Sequence, residues 1–139
     1  MKKIIFCILI IVVSGVIFMG CSPRDPHEEF LRQSEEEIRE YLLELTPVGS
    51  SMSDVLVEIE RDEMWTLGFI NDRFGFVMID GRPLTIGNYV PGATIIGTQS
   101  IRATPGSYRR DIVSMYLTHV DVFWGFDENS QLIDIQVGK

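Results

Sequence analysis

The chain has 139 residues, with 20 acidic side chains against 12 basic ones and a formal net charge of −8. That length suits one ordinary hydrophobic core and is short for two. The acidity disfavours nucleic acid and anionic lipid headgroups as partners.

The chain opens Met1-Lys2-Lys3 and runs apolar from Ile4 to Met19, broken only by Ser14 and Gly15. A positive start followed by a short apolar stretch is the layout of a secretory signal. The stretch falls short of the about 20 apolar residues that a transmembrane helix needs. Phe18 stands where a plain secretory signal would carry a small residue. Gly20-Cys21 at the end of the run resembles the lipobox of bacterial lipoproteins. The resemblance implies cleavage before Cys21 and a diacylglycerol on its thiol, with palmitate as the label to follow. Residues 1–20 are thus expected to be a lipoprotein signal peptide, and 21–24 the lipidated cysteine and a short tether. Ser22 in place of Asp implies, by the same resemblance, sorting to the outer membrane in a Gram-negative host. The expected location is the cell envelope, with the domain facing the periplasm or the exterior. Cleavage would leave 119 residues and, with Lys2 and Lys3 removed, a net charge of −10. Cys7 would go too, so Cys21 would be the sole cysteine and no intramolecular disulfide could form.

Residues 25–139 read as a single domain. Asp25, Pro26 and Glu28 form a helix-start signal. Apolar residues at Phe30, Leu31, Ile38, Tyr41, Leu42 and Leu45 predict one helix over 26–45, with Ser34 filling the gap in its stripe. Glu28/Arg32 and Glu35/Arg39 are spaced for exposed pairs, and Glu35-Glu36-Glu37 reads as a solvated face. Thr46-Pro47-Val48-Gly49 stops this helix. Ser51 and Asp54 then open a second one, near 51–61.

From Met64 onward the pattern changes to strands: Trp65 to Ile70, Phe74 to Ile79 and Leu84 to Val90, punctuated by Asn71-Asp72-Arg73 and Asp80-Gly81-Arg82-Pro83. Residues 93–102 fit a strand or a short helix, and Thr104-Pro105-Gly106-Ser107 reads as a loop. A closing hairpin is expected around Asp127–Ser130. Its buried face would carry Val120, Val122, Trp124, Phe126, Ile133, Ile135 and Val137, and its open face His119, Asp121 and Phe123. Helices first and strands after predict an α+β domain, two helices packed on one face of an antiparallel sheet.

A lipobox, the Pro47-Val48-Gly49-Ser50-Ser51 turn opening a short helix, and a hairpin written Val-Asp-Val-Phe-Trp-Gly-Phe-Asp-Glu then Leu-Ile-Asp-Ile occur together here. In this combination the chain resembles the small lipoproteins of the SmpA/OmlA (BamE-like) group, whose fold is shared with β-lactamase-inhibitor proteins. The resemblance covers most of 25–139 in order of elements. It implies docking onto another protein, as an accessory to outer-membrane assembly or as an inhibitor, and no catalysis. The sequence departs from the group at Glu60-Arg61-Asp62-Glu63, where a Gly-x-Pro segment is common, and in the extra runs of 84–103. These departures imply a relative in fold rather than the assembly component itself.

Little in the residues points to chemistry. His27 falls in the first helical turn and reads as a solvated surface residue. His119 and Asp121 share a strand face and offer two ligands, or a base with its orienter, but nothing marks a third group. Ser50-Ser51 lacks a nucleophile elbow and is accounted for by capping. No cofactor and no metal site are expected. Tyr108, Arg109 and Arg110 are the candidate partner-binding residues: an aromatic and two arginines, types enriched at interface anchors, in an acidic chain. The expected function is a lipid-anchored, non-enzymatic protein-binding module, assembly-accessory-like. The alternative is an immunity-type inhibitor of a periplasmic toxin or hydrolase, whose basic surface the acidity would suit.

Overall fold

The computed structural model of the protein describes residues 25–84, 91–111 and 113–139. It is α+β, with three short helices followed by antiparallel strands. The helices are α1 (Pro26–Arg32), α2 (Glu35–Leu45) and α3 (Met52–Arg61).

The single helix expected over 26–45 is two helices. Ser34 begins a new one: its hydroxyl accepts the Glu37 backbone N–H at 3.2 Å, and the Glu37 carboxylate takes the Ser34 N–H at 2.7 Å. This reciprocal capping box satisfies two donors that a continuing helix would have bonded elsewhere. The arrangement holds the Glu37 carboxyl below the usual carboxylate range, through the Ser34 hydroxyl first and the Ser34 backbone second. α3 starts the same way, with Ser51 and Asp54 as its box.

A four-stranded sheet has the order β1-β5-β6-β7, built from Thr66–Asn71 (β1), Gln99–Arg109 (β5), Leu117–Phe126 (β6) and Leu132–Gly138 (β7). Every pairing in it is antiparallel. A smaller sheet, β3-β2-β4, comprises Phe76–Ile79 (β2), Arg82–Leu84 (β3) and Thr94–Ile96 (β4). Asp80 and Gly81, both at positive φ, make the tight turn between β2 and β3. Of the strand expected over 84–90, Leu84 lies in β3, and the remainder lies outside the described residues. Within residues 93–102, Thr94–Ile96 form β4 and Gln99 begins β5, with Gly97 and Thr98 as the break between them.

Leu31, Ile38 and Leu42 of the first two helices and Val55 and Ile59 of α3 share one buried cluster with the strands. The sheet contributes Ile101, Ala103, Val120, Val122, Trp124, Phe126, Leu132, Ile135 and Val137. Each fully buried side chain of this kind stabilises the fold by about 1.5–3 kcal/mol. Trp124 is 1 % exposed, and its indole N–H points to the Thr46 hydroxyl at 3.4 Å. The Gly49–Met52 connector is stitched to the hairpin: Gly49 N–H donates to Leu132 O, Leu132 N–H to Ser50 O, and Met52 N–H to Ser130 O.

Three expectations for the strands need correction. Ile133 is 42 % exposed, because the register shifts between Gly125 and Phe126 and puts Leu132 on the inner face instead. Phe123 is buried although it lies on the opposite face of β6. The small sheet covers it, with the Phe76 ring 5.9 Å away. Gly125 permits that approach, since a Cβ there would come within 2.9 Å of the Phe76 ring. Residues 104–107 are not a loop but the middle of β5, where the register slips between Ala103 and Gly106. A bulge is where a strand tolerates proline.

Candidate binding surfaces

His27 is not a solvated surface residue. Asp25 caps α1 by accepting the His27 backbone N–H at 3.0 Å, which orients the first turn over β5. The His27 ring nitrogen Nε2 then lies 2.8 Å from the carbonyl oxygen of Pro105, the buried proline of the bulge. Gly106, at φ 147°, lets α1 settle there, since a Cβ would come within 3.2 Å of Leu31 and 3.3 Å of His27. The bulge that the sequence disguised as a loop is therefore the seat of the first helix.

The far end of α1 is held at the same strand. Arg32 pairs with Glu28 at 2.7 Å and donates to the carbonyls of Arg109 and Arg110. Lys139 donates to the carbonyls of Leu31, at 2.8 Å, and of Gln33. Tyr108 sits under both cations, 5.0 Å from the Arg32 guanidinium and 5.5 Å from the Lys139 ammonium. Burial pushes the Lys139 ammonium down from its ordinary pKa, against the carboxylates of Glu35 and Glu37, which favour its charge. Of the three candidate partner-binding residues, Tyr108 is thus a half-buried strand residue packed on the core, while Arg109 and Arg110 are exposed.

His119 and Asp121 do not combine. The two oxygens of Asp121 are taken by the Arg102 guanidinium at 2.9 Å and the Thr104 hydroxyl at 2.6 Å, and His119 is exposed. Arg39, expected to pair with Glu35, instead bonds Asp134 at 2.9 Å, the Ile135 carbonyl at 2.7 Å and Glu36 at 3.4 Å. The Asp134 carboxylate is the main cause that raises the Arg39 pKa further. Among the described residues no three His, Cys, Asp or Glu side chains gather as a metal site would require. Among the same residues no helix is long and apolar enough to cross a membrane.

One concavity went unseen in the sequence. It is a cleft of about 570 Å³ between the first two helices and α3, within the size range of ligand pockets. Phe30, Tyr41, Leu45, Ile59 and Trp65 line it, with the buried Trp124 at its base. The aromatics are mutually braced: Phe30 meets Tyr41 edge-on at 5.4 Å, and Trp65 tilts over Trp124 at 5.8 Å. Glu58, Arg61 and Asp62 give it polar margins, with Arg61 paired to Glu58 at 3.0 Å. Tyr41 and Leu45 are exposed at the opening. The one sequence sign of it was that these large residues extend the stripe of the second helix beyond what Ile38 and Leu42 bury.

No family model matches the chain, and no curated protein or solved structure gives a match.

Proposed function

We propose that this protein is a lipid-anchored envelope protein that binds another protein and catalyses no reaction. On this reading residues 1–20 are removed, Cys21 carries the lipid, and the helices form a layer on the inner face of the four-stranded sheet. The kinship with the SmpA/OmlA (BamE-like) group belongs to the same proposal and rests on the lipobox, the Gly49-Ser50-Ser51 turn and the closing hairpin. The observation that carries the binding role is the cleft between the helices. Aromatic walls with a polar margin suit an apolar side-chain cluster of a partner, which would be desolvated among Phe30, Tyr41 and Trp65. Arg109 and Arg110, at the strand end that holds α1, are the accompanying polar contacts.

The same geometry serves an immunity-type inhibitor, and the net acidity, −8 for the whole chain and −10 after cleavage, favours that second reading where the partner is a basic toxin or hydrolase. Co-purification of the full-length protein from detergent-solubilised envelopes tests both. Envelope-assembly proteins retained by the wild type and lost from a cleft variant, Tyr41→Glu with Leu45→Glu, support the first reading. A secreted toxin or hydrolase retained in their place supports the second. Equal recovery by both forms removes the cleft from the account.

A further inference from the structure

The two edges of the main sheet differ in how they meet solvent. β7 is guarded: the Arg39 guanidinium donates to the Ile135 carbonyl at 2.7 Å, Asp134 places a charge on the strand, and the 49–52 connector bonds Leu132. At its far end Gly138 lies against Pro83 of the small sheet. Charge, covering loops and blocked carbonyls are the usual means of keeping an edge from pairing.

Among the described residues β1 has none of these. No charged residue occurs from Met64 to Asn71. Thr66 to Ile70 are all exposed, and no strand lies outside β1 among the described residues. Leu67, Phe69 and Ile70 stand 38 %, 37 % and 48 % open. Such an edge offers a row of backbone donors and acceptors, and the group that satisfies such a row is another β-strand.

We infer that β1 pairs antiparallel with β1 of a second copy of this chain, joining the two four-stranded sheets into one. The register is set by the irregularity at Gly68. Leu67 pairs with Ala103 and Ile70 with Ile101, so the extra residue brings Leu67 and Ile70 to the same face of the sheet. Thr66, Phe69 and Asn71, opposite Thr104, Arg102 and Ser100, share the other face. A twofold axis between the strands then sets Leu67 against Ile70 of the second copy and Thr66 against Asn71. It places the Phe69 ring beside Gly68, where an aromatic covers the missing side chain. Apolar meets apolar and polar meets polar, twice by symmetry. Without the irregularity Leu67 and Ile70 would fall on opposite faces, and this register could not form. The neutral strand adds no repulsion at the contact itself. The overall charge of −8 opposes association, so added salt strengthens it.

Sedimentation of the full-length protein in excess detergent tests the pairing. The wild type is expected to be a dimer that tightens as salt is raised. Leu67→Lys and Ile70→Glu, each alone, are expected to weaken association by at least about tenfold. Mixing the two variants is expected to restore a dimer, because the opposite charges then face each other, and this recovery distinguishes a broken contact from a broken fold. A monomeric wild type overturns the inference. So do single variants that dimerise like the wild type, or a mixture that stays monomeric while both variants keep their near-ultraviolet tryptophan spectra.

Discussion

The ring nitrogen Nε2 of His27 lies 2.8 Å from the carbonyl oxygen of Pro105 and so joins the first helix to the bulge of β5. The partners are 78 positions apart, so the contact ties the N-terminal helix to the sheet across most of the domain. His27→Ala leaves that carbonyl short of a donor and is expected to cost about 1 kcal/mol, the net worth of one hydrogen bond. Urea unfolding followed by tryptophan fluorescence checks it. Gly106→Val should cost more, since its side chain meets Leu31 and His27.

The cap that splits the first two helices gives a pH-dependent contribution. Ser34→Ala removes the acceptor for the Glu37 N–H and is expected to cost about 1 kcal/mol. Because the Glu37 carboxyl is held below its ordinary pKa, the unfolded chain takes up its proton first as pH falls. The contribution is therefore complete above the ordinary carboxylate range and is lost as pH drops through the lowered value. The difference between wild type and Ser34→Ala should narrow in acid. A difference that grows there would contradict the assignment.

Tyr108, Arg109 and Arg110 should separate into two kinds. Tyr108→Ala loses the contacts with Arg32 and Lys139 and part of the core's cover, for an expected loss of about 1–2 kcal/mol in stability. Arg109→Ala and Arg110→Ala remove exposed side chains, while the carbonyls that hold Arg32 are backbone and remain. Those two should stay within about 0.5 kcal/mol of the wild type, as exposed substitutions usually do. Thermal melts of the three single variants decide it.

Trp124→Ala empties the base of the cleft and the centre of the core together. An expected cost of about 3–5 kcal/mol follows from a large-to-small change at a buried aromatic. Chemical denaturation measures it.

Much of this architecture could be read from the residues alone. The alternation through Val120, Val122, Trp124 and Phe126 predicts the inner face of β6, and Ser51 with Asp54 marks the start of α3. Ser34 with Glu37 carries the same signal as Ser51 with Asp54. It was masked because the apolar stripe on either side continues in helical phase. Pro105-Gly106 reads as a turn by composition, and only the neighbouring strands make it a bulge. The shift that turns Ile133 outward depends likewise on pairing, which no single strand encodes. The cleft is a property of three helices at once. Its residues look in sequence like ordinary core positions, and the over-wide stripe that Tyr41 and Leu45 give the second helix is the one local sign of it.

The lipid anchor is tested by Cys21→Ser. Labelled palmitate is expected in the wild type and absent from the variant, which should accumulate unprocessed or be released from the membrane. Label retained by the variant would remove the lipobox from the account.

The cleft's part in binding is tested most directly by the affinity of the full-length protein for the partner that co-purifies with it. Wild type is to be compared with the Tyr41→Glu, Leu45→Glu form. Both side chains are exposed at the opening, so the substitutions place charge in the cleft and spare the core. The account predicts that the variant keeps its fold and loses at least about 2 kcal/mol of binding, roughly thirtyfold in Kd. Undiminished affinity in the folded variant would contradict it.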